Sequence, residues 1–155
     1  MRTIVTVCTG NLCRSPMAEY ILQDELAKAG VDDTVVESAG IAAWEGDRAA
    51  SMTLSFMAER GYDLSAHRTR RLTKQMIDDA DLVLVMDRGH RGAATVLAPQ
   101  ASAKIVLMAT LDPSAGDDEI GDPYGMNGQM FARVYETIRN AARALVTDWA
   151  KRKDE

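Results

Sequence analysis

The chain has 155 residues, of which 46% are apolar and 26% are charged, as in an ordinary globular protein. We therefore expect a single domain over residues 1–155. The formal net charge of −5 argues against general binding to nucleic acid or to an anionic membrane surface, because such proteins usually carry a basic face.

The chain shows no sign of export or membrane insertion. No apolar run approaches the roughly 20 residues of a membrane span, and no apolar leader with a cleavage pattern precedes the first predicted strand. The two cysteines, Cys8 and Cys13, do not resemble a secreted disulfide framework. We expect a cytoplasmic protein in which the thiols have a chemical or structural role.

The first half of the chain alternates short β-branched runs with helical patterns. A strand is predicted over residues 3–7, followed by a helix that begins near Pro16 and ends at Gly30. A second strand starts at residues 35–36 and closes with Ser-Ala-Gly at 38–40. A helix is predicted over residues 48–60.

The second half continues the alternation. Thr73 is the predicted N-cap of a short helix that runs to residue 79. The nearly continuous apolar run 82–86 is typical of a strand buried on both faces. The remaining predictions are a short helix over 93–97, a strand over 104–107, a loop over 112–128 and a helix whose apolar stripe from 131 to 149 packs into the core.

Strands that alternate with helices predict an α/β fold with a parallel sheet and right-handed crossovers. In such folds, ligands bind outside the carboxyl ends of the strands, where the strand order reverses. Cys8 directly follows the first predicted strand, so we expect a ligand-binding loop there.

The segment Cys-Thr-Gly-Asn-Leu-Cys-Arg-Ser, residues 8–15, has the composition of an anion-binding loop. A helix that begins near Pro16 would place its positive N-terminus beside the loop. We expect Gly10 to adopt a backbone conformation that side chains forbid, and Asn11 to tolerate a left-handed one. The residues predicted to surround a bound phosphate are Thr9, Gly10, Asn11, Leu12, Cys13 and Ser15.

The same loop carries groups for nucleophilic chemistry. The Arg14 guanidinium can bind two oxygens of a phosphate. A helix N-terminus and a nearby cation favour the thiolate form of a cysteine, and Ser15 can donate a hydrogen bond to it. Cys8 is therefore predicted to attack phosphorus. The alternative is a buried apolar thiol at Cys8 beside an ordinary surface arginine.

Residues 7–19, VCTGNLCRSPMAE, closely resemble the signature of the low-molecular-weight protein tyrosine phosphatases. The resemblance extends to ESAG at 37–40, to the region of His67, to LVLVMD ending at Asp87 and to DPY at 122–124. It implies a four-stranded parallel sheet flanked by helices, and an enzyme that removes phosphate from phosphotyrosine in proteins through a cysteinyl-phosphate. No cofactor is expected, and two cysteines with two distant histidines lack the usual spacing of a zinc site.

Ester cleavage also needs a proton for the leaving oxygen, which the Cys8 loop does not offer. By resemblance, Asp122 is the general acid and then the general base. The residues alone leave open that Asp-Pro at this point is only turn chemistry. Asp87, Asp117 and Asp118 are competing carboxylates, of which we interpret Asp87 as structural.

The resemblance also assigns supporting residues. Ser38 and His67 match residues that brace the phosphate loop through Asn11. Taken alone, without the resemblance, His67 fits a satisfied buried histidine or a solvated one better than a supporting residue. Cys13 matches a residue that can form a disulfide with the nucleophile and so protect it from further oxidation, the alternative being a small buried residue. His90 lies in no motif and receives no role.

Substrate preference rests on three positions. Trp44 and Tyr124 resemble the aromatic walls of a slot that selects phosphotyrosine by its length, with Gly125 where many members carry a second aromatic. Arginine phosphatases of the family carry threonine at the position of Leu12, so Leu12 favours phosphotyrosine.

The alternative functions are an arginine phosphatase, an arsenate reductase and a phosphate-binding module without turnover. The absence of a third cysteine for electron relay disfavours the arsenate reductase. The oligomeric state stays open.

Overall fold

The computed structural model describes residues 1–152, and four strands in this part of the chain form one all-parallel sheet. The strands are β1 (Arg2–Cys8), β2 (Thr34–Gly40), β3 (Leu82–Val85) and β4 (Ile105–Leu107), arranged in the order β2-β1-β3-β4. The predicted α/β fold with a four-stranded parallel sheet is confirmed.

Five α-helices flank the sheet in the described residues. They are α1 (Arg14–Lys28), α2 (Ser51–Ala58), α3 (Lys74–Asp79), α4 (Arg88–Leu97) and α5 (Gly128–Arg152), with 3-10 helices at Pro99–Lys104 and Met108–Leu111. None of these helices combines the length and apolar character needed to cross a membrane.

Each face of the sheet is covered by its own hydrophobic core, because successive side chains of a strand point to opposite faces. Ile4 and Leu84 pack on the side of α1, α2 and α5, where Phe131 of α5 is fully buried. Val5 and Val83 pack on the side of α3 and α4. The two layers make β1 and β3 the buried centre of the molecule.

The strand order places a crevice at the carboxyl end of β1. The chain leaves β1 towards β2 on one side, whereas β3 lies on the other side, so the strand order reverses beside β1. The loop after β1 begins at Cys8, and the segment after β3 contains Asp87. Both segments therefore lie where a doubly wound sheet binds its ligands.

Two predicted helices have different bounds in the structure. The helix predicted over 48–60 is only α2, Ser51–Ala58, because Ala50 has extended backbone angles and its N–H donates to the Leu12 carbonyl at 3.1 Å. The helix predicted over 93–97 is α4, which begins five residues earlier, at Arg88. There the Asp87 carboxylate accepts the backbone N–H of His90 at 2.9 Å and caps the helix.

The other bounds differ less. The first helix begins at Arg14 rather than near Pro16, and the fourth strand begins at Ile105 because Lys104 ends a 3-10 helix. The predicted Thr73 cap of α3 is confirmed, since its side chain accepts the N–H of Met76. The loop predicted over 112–128 ends where α5 starts, at Gly128.

Candidate active site

The loop after β1 turns directly into the N-terminus of α1. Cys13 is the N-cap residue, and no side chain in the described structure caps this helix end. The N–H groups of a first helical turn have no partner within the helix, and the helix dipole makes that end partially positive. The turn at residues 8–15 therefore leads into an uncapped helix N-terminus, which is an environment that favours anions.

The backbone strain of the loop lies at Asn11 and not at Gly10. Asn11 has a φ of 57°, in the left-handed region that asparagine tolerates. The prediction for Gly10 was wrong, because its φ is not positive. Gly40, at the end of β2, is the glycine that the loop requires: an added Cβ would lie 2.7 Å from the Thr9 carbonyl oxygen and 2.8 Å from the Asn11 nitrogen.

Asn11 is held by polar groups from three other segments. Its Nδ2 donates to Ser15 Oγ at 2.8 Å and to Ser38 Oγ at 2.9 Å. Its Oδ1 accepts the backbone N–H of Arg70, and its carbonyl oxygen lies 2.9 Å from His67 Nε2. The structure thus brings the predicted supporting residues Ser38 and His67 to Asn11, where they hold the loop in its strained conformation.

Glu19 extends this network and was missed in the sequence. Ser38 Oγ donates to Glu19 Oε1 at 2.5 Å. Burial raises the pKa of Glu19 above its ordinary value, and the hydrogen bond from Ser38 partly opposes that effect. The signal available in the sequence was its position in α1, four residues after Ser15.

Cys8 lies at the floor of the loop, with its Sγ 3.0 Å from Ser15 Oγ. The side chain of Cys8 is 3% exposed. Asn11 Nδ2 can only donate to the Ser15 hydroxyl, so the hydroxyl hydrogen is available to the sulfur. A hydrogen bond donated to sulfur favours the thiolate over the thiol.

Cys13 has a different environment, although both cysteines are free and buried. Burial raises the pKa of the Cys13 thiol to about 11, and a contact with Thr53 only partly offsets this effect. Cys13 is therefore a neutral thiol near pH 7, and only a thiolate is a strong nucleophile. Of the two cysteines, Cys8 is the one placed to attack a ligand.

Arg14 is buried beside Cys8 and is held from several directions. Its Nη1 donates to the Ile120 carbonyl at 2.8 Å and lies 3.5 Å from Asp87 Oδ2, and its Nη2 lies 3.7 Å from Asp122 Oδ2. Its Nε is buried and has no hydrogen-bond partner in the described part of the chain. Buried donors are normally paired, so the unpaired Nε indicates a group shaped to bind an external acceptor.

Cys8, Arg14 and Asp122 line one cavity of about 170 Å³. Asp122 Oδ1 accepts the backbone N–H of Tyr124 at 3.0 Å, which fixes the carboxylate at the mouth. The other residues that line the cavity are Thr9, Gly10, Leu12, Cys13 and Tyr124. The long loop before α5 thus brings a carboxylate to the cysteine across more than 100 residues of sequence.

The two predicted wall residues differ in position. Tyr124 lines the cavity, although its side chain is 61% exposed. Trp44 is 82% exposed and is not among the residues that line the cavity. Its backbone carbonyl accepts a short hydrogen bond from Thr69, which holds the main chain but not the indole. A wall role for Trp44 therefore stays a prediction.

The competing carboxylates have other partners. Asp87 caps α4, which agrees with its interpretation as structural, and it also approaches Arg14. Asp118 pairs with Arg88 at 2.5 Å, and Asp117 accepts the backbone N–H of Glu119. Of Asp122 and its three competitors, only Asp122 is among the residues that line the cavity.

The cavity combines a cysteine sulfur, a helix N-terminus that favours anions, a buried guanidinium and a carboxylate at its mouth. This combination suits a tetrahedral phosphate ester. On a doubly wound sheet this arrangement defines a cysteine-dependent phosphatase. Residues 1–152 contain no group of three or more His, Cys, Asp or Glu side chains arranged to hold a metal ion.

Comparison with known proteins agrees with this class. The family model described as low molecular weight phosphotyrosine protein phosphatase matches residues 3–155. A low molecular weight protein-tyrosine-phosphatase of Streptomyces coelicolor is 36% identical over 146 residues, which cover 90% of this chain and 88% of that protein. The chain belongs to the low-molecular-weight protein-tyrosine-phosphatase family.

Two solved structures extend the comparison to three dimensions. Vibrio vulnificus Wzb in complex with benzylphosphonate matches with a TM-score of 0.83 and 34% identity, covering 95% of this chain and 98% of that one. YwlE arginine phosphatase from Geobacillus stearothermophilus matches with a TM-score of 0.87 and 28% identity, covering 99% and 96%. The chain is thus similar both to a relative that is named a protein-tyrosine-phosphatase and to a structure that is named an arginine phosphatase.

Proposed function

We propose that this enzyme hydrolyses phosphotyrosine in proteins through a cysteinyl-phosphate intermediate. The observation that carries the proposal is the single cavity that Cys8, Arg14 and Asp122 line. The phosphoryl oxygens bind the first-turn N–H groups of α1 and the Arg14 guanidinium. The aryl group extends towards the mouth, beside Tyr124.

In the first step, Cys8 Sγ forms a bond to phosphorus while the bond between phosphorus and the tyrosine oxygen breaks. Asp122 gives its proton to that oxygen, so that neutral tyrosine leaves. The N–H groups of the loop and Arg14 stabilise the negative charge on the phosphoryl oxygens in the transition state.

In the second step, a water molecule attacks phosphorus and the sulfur–phosphorus bond breaks. Asp122, now a carboxylate, accepts a proton from the water. Inorganic phosphate leaves, and Cys8 returns to its thiolate form. One carboxyl group thus serves both steps, and the proton balance closes without a cofactor.

Leu12 supports phosphotyrosine as the substrate. It lines the cavity, and an aliphatic side chain offers no hydroxyl to position the attacking water on a phosphoarginine adduct. The curated relative at 36% identity is named a tyrosine phosphatase, whereas the arginine phosphatase neighbour is 28% identical. Arginine phosphatase activity is the second candidate, favoured only by that structural likeness.

We expect the parent enzyme to hydrolyse a phosphotyrosine peptide with a higher kcat/KM than a phosphoarginine peptide of the same flanking sequence. Leu12→Thr should shift that ratio towards phosphoarginine by about tenfold, because a new hydroxyl can orient water. Released phosphate, measured at matched peptide concentration, checks both results. Leu12→Val serves as the control that shortens the side chain without adding a hydroxyl. A parent that prefers phosphoarginine would overturn the substrate and leave the chemistry intact.

The setting of the reaction belongs to the same proposal. We infer one domain over residues 1–155 that acts in the cytoplasm on phosphotyrosine-containing proteins, without nucleic acid and without membrane insertion. The net charge of −5 and the two free cysteines support this setting. Arsenate reduction is the weaker alternative, because the neutral Cys13 thiol leaves no second reactive thiol in the chain.

A further inference from the structure

His90, to which the sequence assigned no role, is the buried histidine of α4 that contacts the phosphate loop. Its Nε2 lies 2.8 Å from Thr9 Oγ1, the hydroxyl of the residue after Cys8. The side chain is 5% exposed, so solvent does not satisfy the ring. A contact between an imidazole and the nucleophile's neighbour needs an explanation beyond packing.

Four side chains close a ring beside the cavity. Thr9 Oγ1 lies 3.5 Å from Arg14 Nη2, and Arg14 Nη1 lies 3.5 Å from Asp87 Oδ2. Asp87 Oδ1 lies 3.4 Å from His90 Nδ1, and His90 Nε2 returns to Thr9. The Arg14 guanidinium is therefore held on one side by the Asp87 carboxylate and on the other by the Thr9 hydroxyl. His90 contacts both of these groups.

The burial of His90 favours a neutral imidazole. Burial lowers the pKa of His90, and Arg14 acts in the same direction, whereas Asp87, Asp122 and Glu119 oppose it. When His90 is neutral, the positive charge of Arg14 and the negative charge of Asp87 balance each other. Protonation of His90 would add a second positive charge beside Arg14.

The same contacts select a tautomer. Nδ1 lies 3.4 Å from Asp87 Oδ1 and has no hydrogen-bond partner in the described residues. A hydrogen on Nδ1 is favoured beside a carboxylate, which leaves the lone pair on Nε2 to accept the Thr9 hydroxyl. The Thr9 oxygen then presents its own lone pairs to Arg14.

We propose that His90 is a positioning residue for the phosphatase reaction: its neutral ring accepts the Thr9 hydroxyl and so aims the Thr9 oxygen at the Arg14 guanidinium. The proposal rests on the phosphate-binding role of Arg14 given above. His90 touches neither substrate nor the reacting atoms, and its effect reaches the phosphoryl group through Thr9 and Arg14.

A pair of conservative substitutions tests the contact. Glutamine can place an amide oxygen where Nε2 lies, whereas asparagine is too short to reach Thr9. We expect His90→Asn to lower kcat for para-nitrophenyl phosphate roughly three- to tenfold and His90→Gln to recover part of that loss. Val96→Gly is the control for a general weakening of α4, because Val96 is 81% exposed on that helix. It should leave kcat at the parental value. Equal losses in the two His90 variants would contradict the proposal.

Thr9→Val removes the hydroxyl and keeps the shape of the side chain. If His90 acts through that hydroxyl, Thr9→Val combined with His90→Asn should cost little more than either change alone. Losses that multiply would show that His90 acts elsewhere. The advantage of the parent over His90→Asn should also shrink as the pH falls through the pKa of His90, which burial holds below the ordinary histidine value, since the parental ring gains a proton that asparagine cannot take up. A constant ratio would contradict the proposal.

A measurement on the parent covers the case in which the variants fold poorly. Nitrogen-15 NMR of the imidazole at pH 7 should show hydrogen on Nδ1 and none on Nε2. A ring protonated at Nε2 would overturn the proposal. Failure of the proposed function looks different, because the parent itself would then fail to hydrolyse phosphotyrosine or para-nitrophenyl phosphate.

Discussion

Cys8→Ser should lower kcat for para-nitrophenyl phosphate by a factor on the order of 10⁴ or more. A serine hydroxyl is not ionised near neutral pH, and it needs an adjacent general base to become a nucleophile. The polar partner of the Cys8 sulfur is the Ser15 hydroxyl, which is not a base. Turnover measured by release of nitrophenolate checks this result.

The second cysteine of the loop offers a matched control. Cys13→Ser changes a sulfur to an oxygen five residues away, at a group that is a neutral thiol near pH 7. We expect its kcat to stay within about tenfold of the parent. Cys8→Ser should still bind inorganic phosphate, because the loop N–H groups and Arg14 remain. Comparable losses in the two serine variants would show that Cys8 is not the nucleophile.

Asp122→Asn should lower kcat for a phosphotyrosine peptide by roughly 10²- to 10⁴-fold. Asparagine keeps the oxygen that accepts the Tyr124 N–H, so the loop should keep its shape. It cannot give a proton to the tyrosine oxygen. The loss should be smaller for para-nitrophenyl phosphate, because nitrophenolate leaves without a proton more readily than tyrosinate. Steady-state kinetics with the two substrates give the comparison.

Asp87→Asn is the control for Asp122, since both carboxylates approach Arg14. Asparagine caps a helix about as well as aspartate, so Asp87→Asn should keep the α4 cap while it removes the charge beside Arg14 and disturbs that guanidinium. Those effects should be the same for good and poor leaving groups. If instead Asp87→Asn showed the leaving-group dependence and Asp122→Asn did not, Asp87 would be the general acid.

The loop between β1 and α1 could be predicted from the sequence because its chemistry is local. The strand, the cysteine, the arginine and the helix start follow one another within about ten residues, and each has a local signal. The left-handed Asn11 is also a local preference of asparagine. The support of Asn11 by Ser38 and His67 came from the family resemblance and not from spacing.

Tertiary contacts explain what was missed. Gly40 has no special φ, and its need for glycine comes from the approach of Thr9 and Asn11 across the sheet edge. The first five residues of α4 are polar or glycine, so periodicity gave no signal there. The Asp87 cap and the burial of His90 stabilise this end of the helix instead. The start of α2 was predicted too early because a backbone contact with Leu12 holds Ala50 extended.

The most direct test of covalent catalysis is to trap the intermediate. Asp122→Asn, mixed with para-nitrophenyl phosphate and quenched in acid during turnover, should accumulate enzyme that carries one added PO₃ group, because hydrolysis of the adduct needs the missing base. Peptide mapping by mass spectrometry should place that group on Cys8. Turnover with no phosphorylated enzyme, or a phosphoryl group on any other residue, would contradict a mechanism in which Cys8 accepts the phosphoryl group.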